Sequence, residues 1–134
     1  MEYRVMSAKE SKFLDWTLRI SMFGEFLGHG VTAYGLSATF LHMLNAMTGI
    51  TGDAANKLLQ AVGLFDIFVA FLVLVKPLRI ILVWAVFWAF MTALARPIAG
   101  DQIWGFVERW GNVGIPLALL LLRGLPKTSK EWFS

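Results

Sequence analysis

Cysteine is absent from the 134-residue chain. That excludes iron–sulfur clusters, covalently attached haem, thiolate zinc sites and disulfides. Charge is scarce: 16% of residues are charged, against about 25% in an ordinary soluble domain. Histidine occurs only at His29 and His42; with several carboxylates these could make a metal site, but no two ligands show a diagnostic spacing beyond Glu25 and His29. There is no phosphate loop, nucleophile elbow or Ser-His-Asp arrangement. Gly28 and Gly30 flank His29 without the strand–turn–helix context a dinucleotide fingerprint needs. What is present is oil: 57% of the residues are hydrophobic and the mean hydropathy is +0.65. This composition points to a membrane protein. The net charge of +3 sits in short polar segments that flank apolar runs. It therefore speaks for membrane orientation rather than nucleic-acid binding.

The apolar runs predict an all-α protein: a four-helix transmembrane bundle with a short interfacial or re-entrant helix between the first two spans. Residues 1–13 read as a polar cytoplasmic segment, and no cleavage pattern marks them as a removable leader. Span 1 covers 14–35, about the length that crosses roughly 30 Å of hydrocarbon. In the connector, Phe40, Leu41, Leu44 and Met47 fall at helical spacing, and Gly49 and Gly52 break the pattern. Span 2 runs from about Lys57 to Val75. The turn 76–79 follows, with Pro77 suited to the first turn of the next helix. Span 3 covers 78–96 and is ended by Pro97 and Gly100. Span 4 has an apolar core of only ten residues, 113–122. It reaches spanning length by including 104–112 as continuous helix. Residues 14–124 thus form one transmembrane domain, and 125–134 a cytoplasmic tail.

Four spans place both termini on one side. On that side lie Arg4, Lys9, Lys12, Lys76, Arg79, Arg123, Lys127 and Lys130; the other side has only Lys57, Arg96 and Arg109. The excess of basic residues predicts both termini in the cytoplasm of a bacterial inner membrane. Arg19, about 9 Å into span 1, is expected to snorkel or to pair with Asp15 one turn back.

In this topology every span carries polar groups to the outer half: Glu25 and His29 on span 1, Asp66 on span 2, Arg96 at the end of span 3, and Glu108, Arg109 and Asn112 at the start of span 4. A charge at mid-bilayer costs about 2.5–3.5 kcal/mol on insertion scales, so these groups are expected to converge inside the bundle. Two readings follow. One is an outward-opening polar pocket; the other is a salt-bridge cluster that only fixes helix assembly. Trp84, Trp88, Thr92 and Arg96 recur every four residues along span 3. A quinone head group suits such aromatics beside an arginine, although packing and lipid contact give similar stripes. His29 is also a candidate ligand for haem or chlorophyll magnesium, against the commoner hydrogen-bonded histidine beside a carboxylate. No spacing marks a metal site. Gly24 and Gly28 form a small-xxx-small pair that permits close helix approach.

The glycine-rich GEFLGHG (24–30) after Arg19, GLFDIFVAFLVL (63–74), TALARPIAG (92–100) and FVERWGNVGIPLALLLL (106–122) resemble the DoxX-like family of small four-helix bacterial membrane proteins. The resemblance spans most of residues 16–124. It implies a subunit or partner of a membrane oxidoreductase, such as a quinol oxidase or thiosulfate:quinone oxidoreductase assembly, and supplies no agreed catalytic set. The sequence is thus expected to encode an accessory subunit or a quinone- or partner-binding module of an electron-transport complex, in contact with lipid and other membrane subunits. The alternatives are a purely structural scaffold for pigment- or haem-bearing chains and, ranked last, a small transporter or stand-alone oxidoreductase.

Overall fold

The computed structural model describes residues 1–134. The chain is all-helical. In order it forms α1 (Ala8–Tyr34), α2 (Ala38–Thr48), α3 (Gly52–Val75), α4 (Arg79–Ile98), α5 (Trp104–Val107), α6 (Trp110–Arg123) and a closing 3-10 turn, Glu131–Phe133. Two of these, α3 and α4, are long and apolar enough to cross a membrane, and most of their surface remains exposed.

Several boundaries differ from the sequence-based expectation, each for a local reason. α1 starts at Ala8 because Ser7 and Glu10 close a capping box: Glu10 N–H donates to Ser7 Oγ (3.2 Å) and Ser7 N–H donates to Glu10 Oε2 (2.8 Å). Part of the polar segment 1–13 is therefore the first turns of the long helix. α3 begins at Gly52, five residues before Lys57, and its first turn carries an exposed Asp53–Lys57 ion pair at 2.9 Å. Pro77 lies just before the N-cap of α4, Leu78, rather than within its first turn, and Pro97 is accommodated inside the last turn. The largest difference is the break of 104–122 into α5 and α6. Arg109 N–H bonds the Phe106 carbonyl (3.2 Å) and Asn112 N–H bonds the Arg109 carbonyl (3.0 Å). These are three-residue bonds that tighten the chain into a turn. The 14 residues of α6 then span only about 21 Å. α2 forms where the connector predicted it, and its left-handed C-cap is Gly49 (φ 74°).

The helices pack in the order α3, α1, α6, α4: α1 packs on α3 and α6, and α4 packs on α6. The backbones of α3 and α4 scarcely approach one another, so the ring has a seam between them. α2 lies across one end of this seam, in contact with both. The closest approach is between α1 and α3. A Cβ on Gly30 would lie 2.7 Å from the Gly63 carbonyl oxygen, and one on Gly63 would lie 2.6 Å from the Gly30 carbonyl oxygen. By contrast, Gly24 and Gly28 have no neighbour within 4 Å. The predicted small-residue contact is thus made by other glycines. On α4, Ala85, Ala89 and Ala93 are buried at four-residue spacing.

Half of the bundle is filled. Met22 and Phe26 of α1, Val69 and Val73 of α3, Leu82 of α4 and Leu119 of α6 form a close-packed core in the half nearer the chain termini. At this end Asp15 receives two hydrogen bonds from Arg123, Nε at 2.8 Å and Nη2 at 3.1 Å, and one from Arg19 Nη1 at 3.3 Å. Arg19 also donates Nε to the Val73 carbonyl (3.0 Å) and Nη2 to the Leu74 carbonyl, with its guanidinium 3.9 Å above the Trp16 ring. Its expected pairing with Asp15 is present, and the arginine is buried rather than snorkelled. Arg79 closes the end of α6, donating Nε to the Gly124 carbonyl (2.7 Å) and Nη2 to that of Arg123. It thereby satisfies carbonyls that a helix C-terminus leaves open.

The capping box also sets a pH dependence. The hydrogen bonds from the Ser7 backbone and side chain, with Arg4 alongside, hold the Glu10 carboxyl below its ordinary 4.5. A lowered folded value means that the stabilisation is complete above pH 4.5 and disappears as pH falls through the lowered value. Amide exchange at residues 8–11 is expected to accelerate on that acid titration in the wild type and to be pH-independent, beyond the intrinsic rate, in Glu10→Ala.

Candidate functional site

The half of the bundle away from the termini contains a cavity of about 250 Å³. Four helices and one turn supply its wall. α1 gives His29 and Ala33; α3 gives Leu59, Val62 and Asp66; α4 gives Phe87, Trp88, Met91, Thr92, Ala95 and Arg96; and the α5–α6 turn gives Arg109. α2 roofs the cavity with Phe40, Met43, Leu44, Met47 and Thr48. Residues 40, 43, 44 and 47 are one face of a helix, so Met43, rather than Leu41, completes the face that meets the cavity. Two contacts hold the roof. His42 Nε2 bonds the Ala99 carbonyl at 2.8 Å, and the His29 ring meets Phe40 edge-on, with centroids 6.0 Å apart.

The alternation of helix direction brings the polar groups here. α1 rises towards this end, α3 descends from it, α4 rises to it and α6 descends from it, so a polar group near the corresponding end of each helix arrives at one height. Rotation then decides which groups face inward. His29, Asp66, Arg96 and Arg109 do. Glu25 is half-buried outside the cavity wall. It lies five residues before the Gly30–Gly63 crossing, and Asp66 lies three residues past it on the opposite-running helix. Their heights therefore differ by only about 3 Å. One carboxyl oxygen of each, Glu25 Oε2 and Asp66 Oδ1, is buried with no hydrogen-bond partner, as is Trp84 Nε1. Glu108 is exposed and pairs with Arg109 Nη1 at 2.6 Å. Asn112 is half-buried beyond the cavity.

The two arginines are held differently. Arg109 Nη1 donates to the Gly105 carbonyl (2.7 Å) as well as to Glu108, which fixes its side chain. Arg96 has its nearest carboxylate oxygen, on Asp101, at 3.9 Å, beyond hydrogen-bond distance. Its donors are thus free for another acceptor. Both side chains pass over Gly105, whose missing Cβ would lie 3.5 Å from Arg96 Cδ and 3.8 Å from Arg109 Nη1.

Trp88 stacks on Trp84 with ring centroids 5.4 Å apart and planes 14° from parallel. Trp88, Thr92 and Arg96 face the cavity, whereas Trp84 lies outside it, in a groove between α3 and α4. The four-residue stripe of α4 therefore leads from the bundle surface into its interior. No three His, Asp or Glu side chains come together as a metal site. The arrangement offers hydrogen-bond donors at the end of an apolar slot with an aromatic wall.

Comparison with known protein families, with curated proteins and with solved structures finds no match to this chain.

Proposed function

We propose that this is a multi-pass membrane protein, a four-helix transmembrane bundle with both termini in the cytoplasm, that serves as an accessory subunit of a membrane redox complex and binds a quinone head group in its outer cavity. The observation that carries the reading is the cavity: a mostly apolar slot of about 250 Å³ with Trp88 on one wall and the unpaired donors of Arg96 at its end. A quinone ring presents two carbonyl acceptors and a flat apolar face, which match those donors and that wall. The volume lies just below the roughly 300–1,000 Å³ usual for drug-sized ligands, so it suits one ring rather than a whole lipid-soluble molecule. His29 and Asp66 are placed to hydrogen-bond the ring or pass protons to it, and Arg109 balances charge.

Membrane insertion draws on α3 and α4 and on large apolar side chains left exposed around the bundle, among them Ile20, Val31, Leu64, Phe68, Phe71, Phe87, Phe90 and Leu121. A soluble monomer seldom leaves so many large apolar side chains exposed. The DoxX-like resemblance agrees with this reading. Because the chain has no cysteine, single Ser7→Cys and Asp53→Cys substitutions give a clean topology test. A membrane-impermeant thiol reagent added outside is expected to label position 53 in intact cells and position 7 only after lysis.

The binding test uses a tail-less benzoquinone and equilibrium dialysis of the purified protein in lipid nanodiscs. Saturable binding is expected, weakened at least tenfold by Arg96→Leu, roughly the value of one charge-assisted hydrogen bond at about 1.5–3 kcal/mol. Absence of saturable binding to the wild type refutes the quinone reading. A scaffold subunit is the second reading, favoured by the exposed Leu64, Phe68 and Phe71 on α3. It predicts that substitutions on that face release partner subunits while per-complex activity is unchanged.

A further inference from the structure

We infer that the ligand of this cavity is single-tailed and lipid-borne, and that it enters and keeps its tail sideways through the α3–α4 seam, over Trp84 and Phe65. The inference rests on the reading of the cavity as a quinone-ring site and adds the route and the tail subsite. Four observations place them. First, α3 and α4 are the one neighbouring pair in the ring of helices whose backbones do not pack on each other. Second, a groove of about 400 Å³ lies along that seam, lined by Ala61, Val62, Phe65, Trp84 and Trp88, all hydrophobic. Hydrocarbon is the chemistry such a lining accepts. Third, Val62 and Trp88 line both the groove and the inner cavity, so the two spaces share a wall at these side chains. Fourth, the axial way out is roofed by α2, tied down by the His42–Ala99 hydrogen bond.

The aromatic stripe gains a purpose in this arrangement. Trp84 and Trp88 are stacked nearly parallel, and Phe65 of α3 meets Trp84 edge-on at 5.8 Å. The two stacked tryptophans give the way from the groove towards Thr92 and Arg96 an aromatic lining. A ring seated at Arg96 leaves its substituent pointing back past Trp88 into the groove.

The test compares two quinones that share one ring, a tail-less benzoquinone and its decyl-substituted analogue, in nanodiscs, with bound ligand corrected for partition into protein-free discs. The decyl compound is expected to bind the wild type at least tenfold more tightly than the bare ring. Ala61→Trp fills the groove from an exposed position and is expected to remove that advantage while bare-ring affinity stays within twofold. Phe65→Ala, which strips the groove wall, is expected to weaken the decyl compound about fivefold and leave the bare ring unchanged; it decides the matter if Ala61→Trp does not fold. If both variants fold and keep the full tail advantage, or if the wild type shows none, the lateral route is overturned although the ring site stands. If the bare ring itself fails to bind the wild type, the cavity reading falls and this inference falls with it.

Discussion

Gly63→Leu is expected to prevent stable folding, and Gly63→Ala to destabilise the protein by about 1–3 kcal/mol, the usual cost of overpacking. The Cβ added at Gly63 would meet the Gly30 carbonyl oxygen and the Tyr34 backbone nitrogen, each at 2.6 Å. Both obstacles are main chain, so no rotamer change relieves them. Relief requires α1 and α3 to separate, and those helices form the most extensive contact in the bundle. Gly30→Ala is expected to do similar damage, since its Cβ would lie 2.7 Å from the Gly63 carbonyl oxygen and 2.9 Å from the Ile67 nitrogen. Gly24→Ala and Gly28→Ala are the controls. Nothing lies within 4 Å of either, and each is expected to gain up to about 1 kcal/mol from helix propensity. Reversible unfolding in mixed micelles, followed by circular dichroism, separates the two pairs. Equal effects at all four positions would refute the assigned crossing.

Asp15→Asn is expected to cost about 3 kcal/mol and to loosen α6 from the bundle. The substitution keeps the shape of the side chain and removes its charge, leaving Arg19 and Arg123 without the carboxylate they share. Removing one partner of a buried ion pair typically costs about 3–5 kcal/mol, because the remaining charge stays desolvated. Asp15 and Arg19 are mostly buried, but Arg123 is 30% exposed, which places the expectation at the lower end. Arg123→Gln removes the two bonds from α6 and leaves the Arg19 pair, so its effect should be smaller. A double-mutant cycle between Asp15 and Arg123 is expected to give a coupling of about 1–3 kcal/mol, with trypsin cleavage after Arg123 accelerated in Asp15→Asn. Additive effects with no coupling would show that the pair carries no stability.

The pattern of apolar runs reveals the helical class and the approximate position of each long helix, because a long apolar run is a coarse signal that does not depend on neighbouring helices. The ends were less legible. The apolar run places the start of α3 near Lys57, whereas the helix begins at Gly52, because its polar first turn carries no apolar signal. The α1 start was written in the sequence as Ser7 followed three residues later by Glu10, a capping-box signature. The α5–α6 break has no such mark; it shows only in the three-residue backbone bonds at Arg109 and Asn112. The glycine contact illustrates a different limit. Spacing within one helix singled out Gly24 and Gly28, whereas the close approach pairs Gly30 with Gly63, and no periodicity links positions on separate helices. At the cavity, the heights of His29, Asp66, Arg96 and Arg109 followed from helix direction. The placement of Glu25 and Glu108 outside its wall follows from helix rotation, which hydropathy does not encode.

The bond between Asp15 and Arg123 joins positions 108 residues apart, and its consequence is one of timing. While the chain is being synthesised, α1, α3 and α4 are all available before the last helix emerges. Until then Arg19 holds the only counter-charge for Asp15, and the groove on α1 and α4 that receives Leu119 lies open. The short final helix therefore acts as a keystone: it completes a ring that its predecessors hold only in outline, and a nascent chain halted before it would leave Asp15 with Arg19 as its single partner.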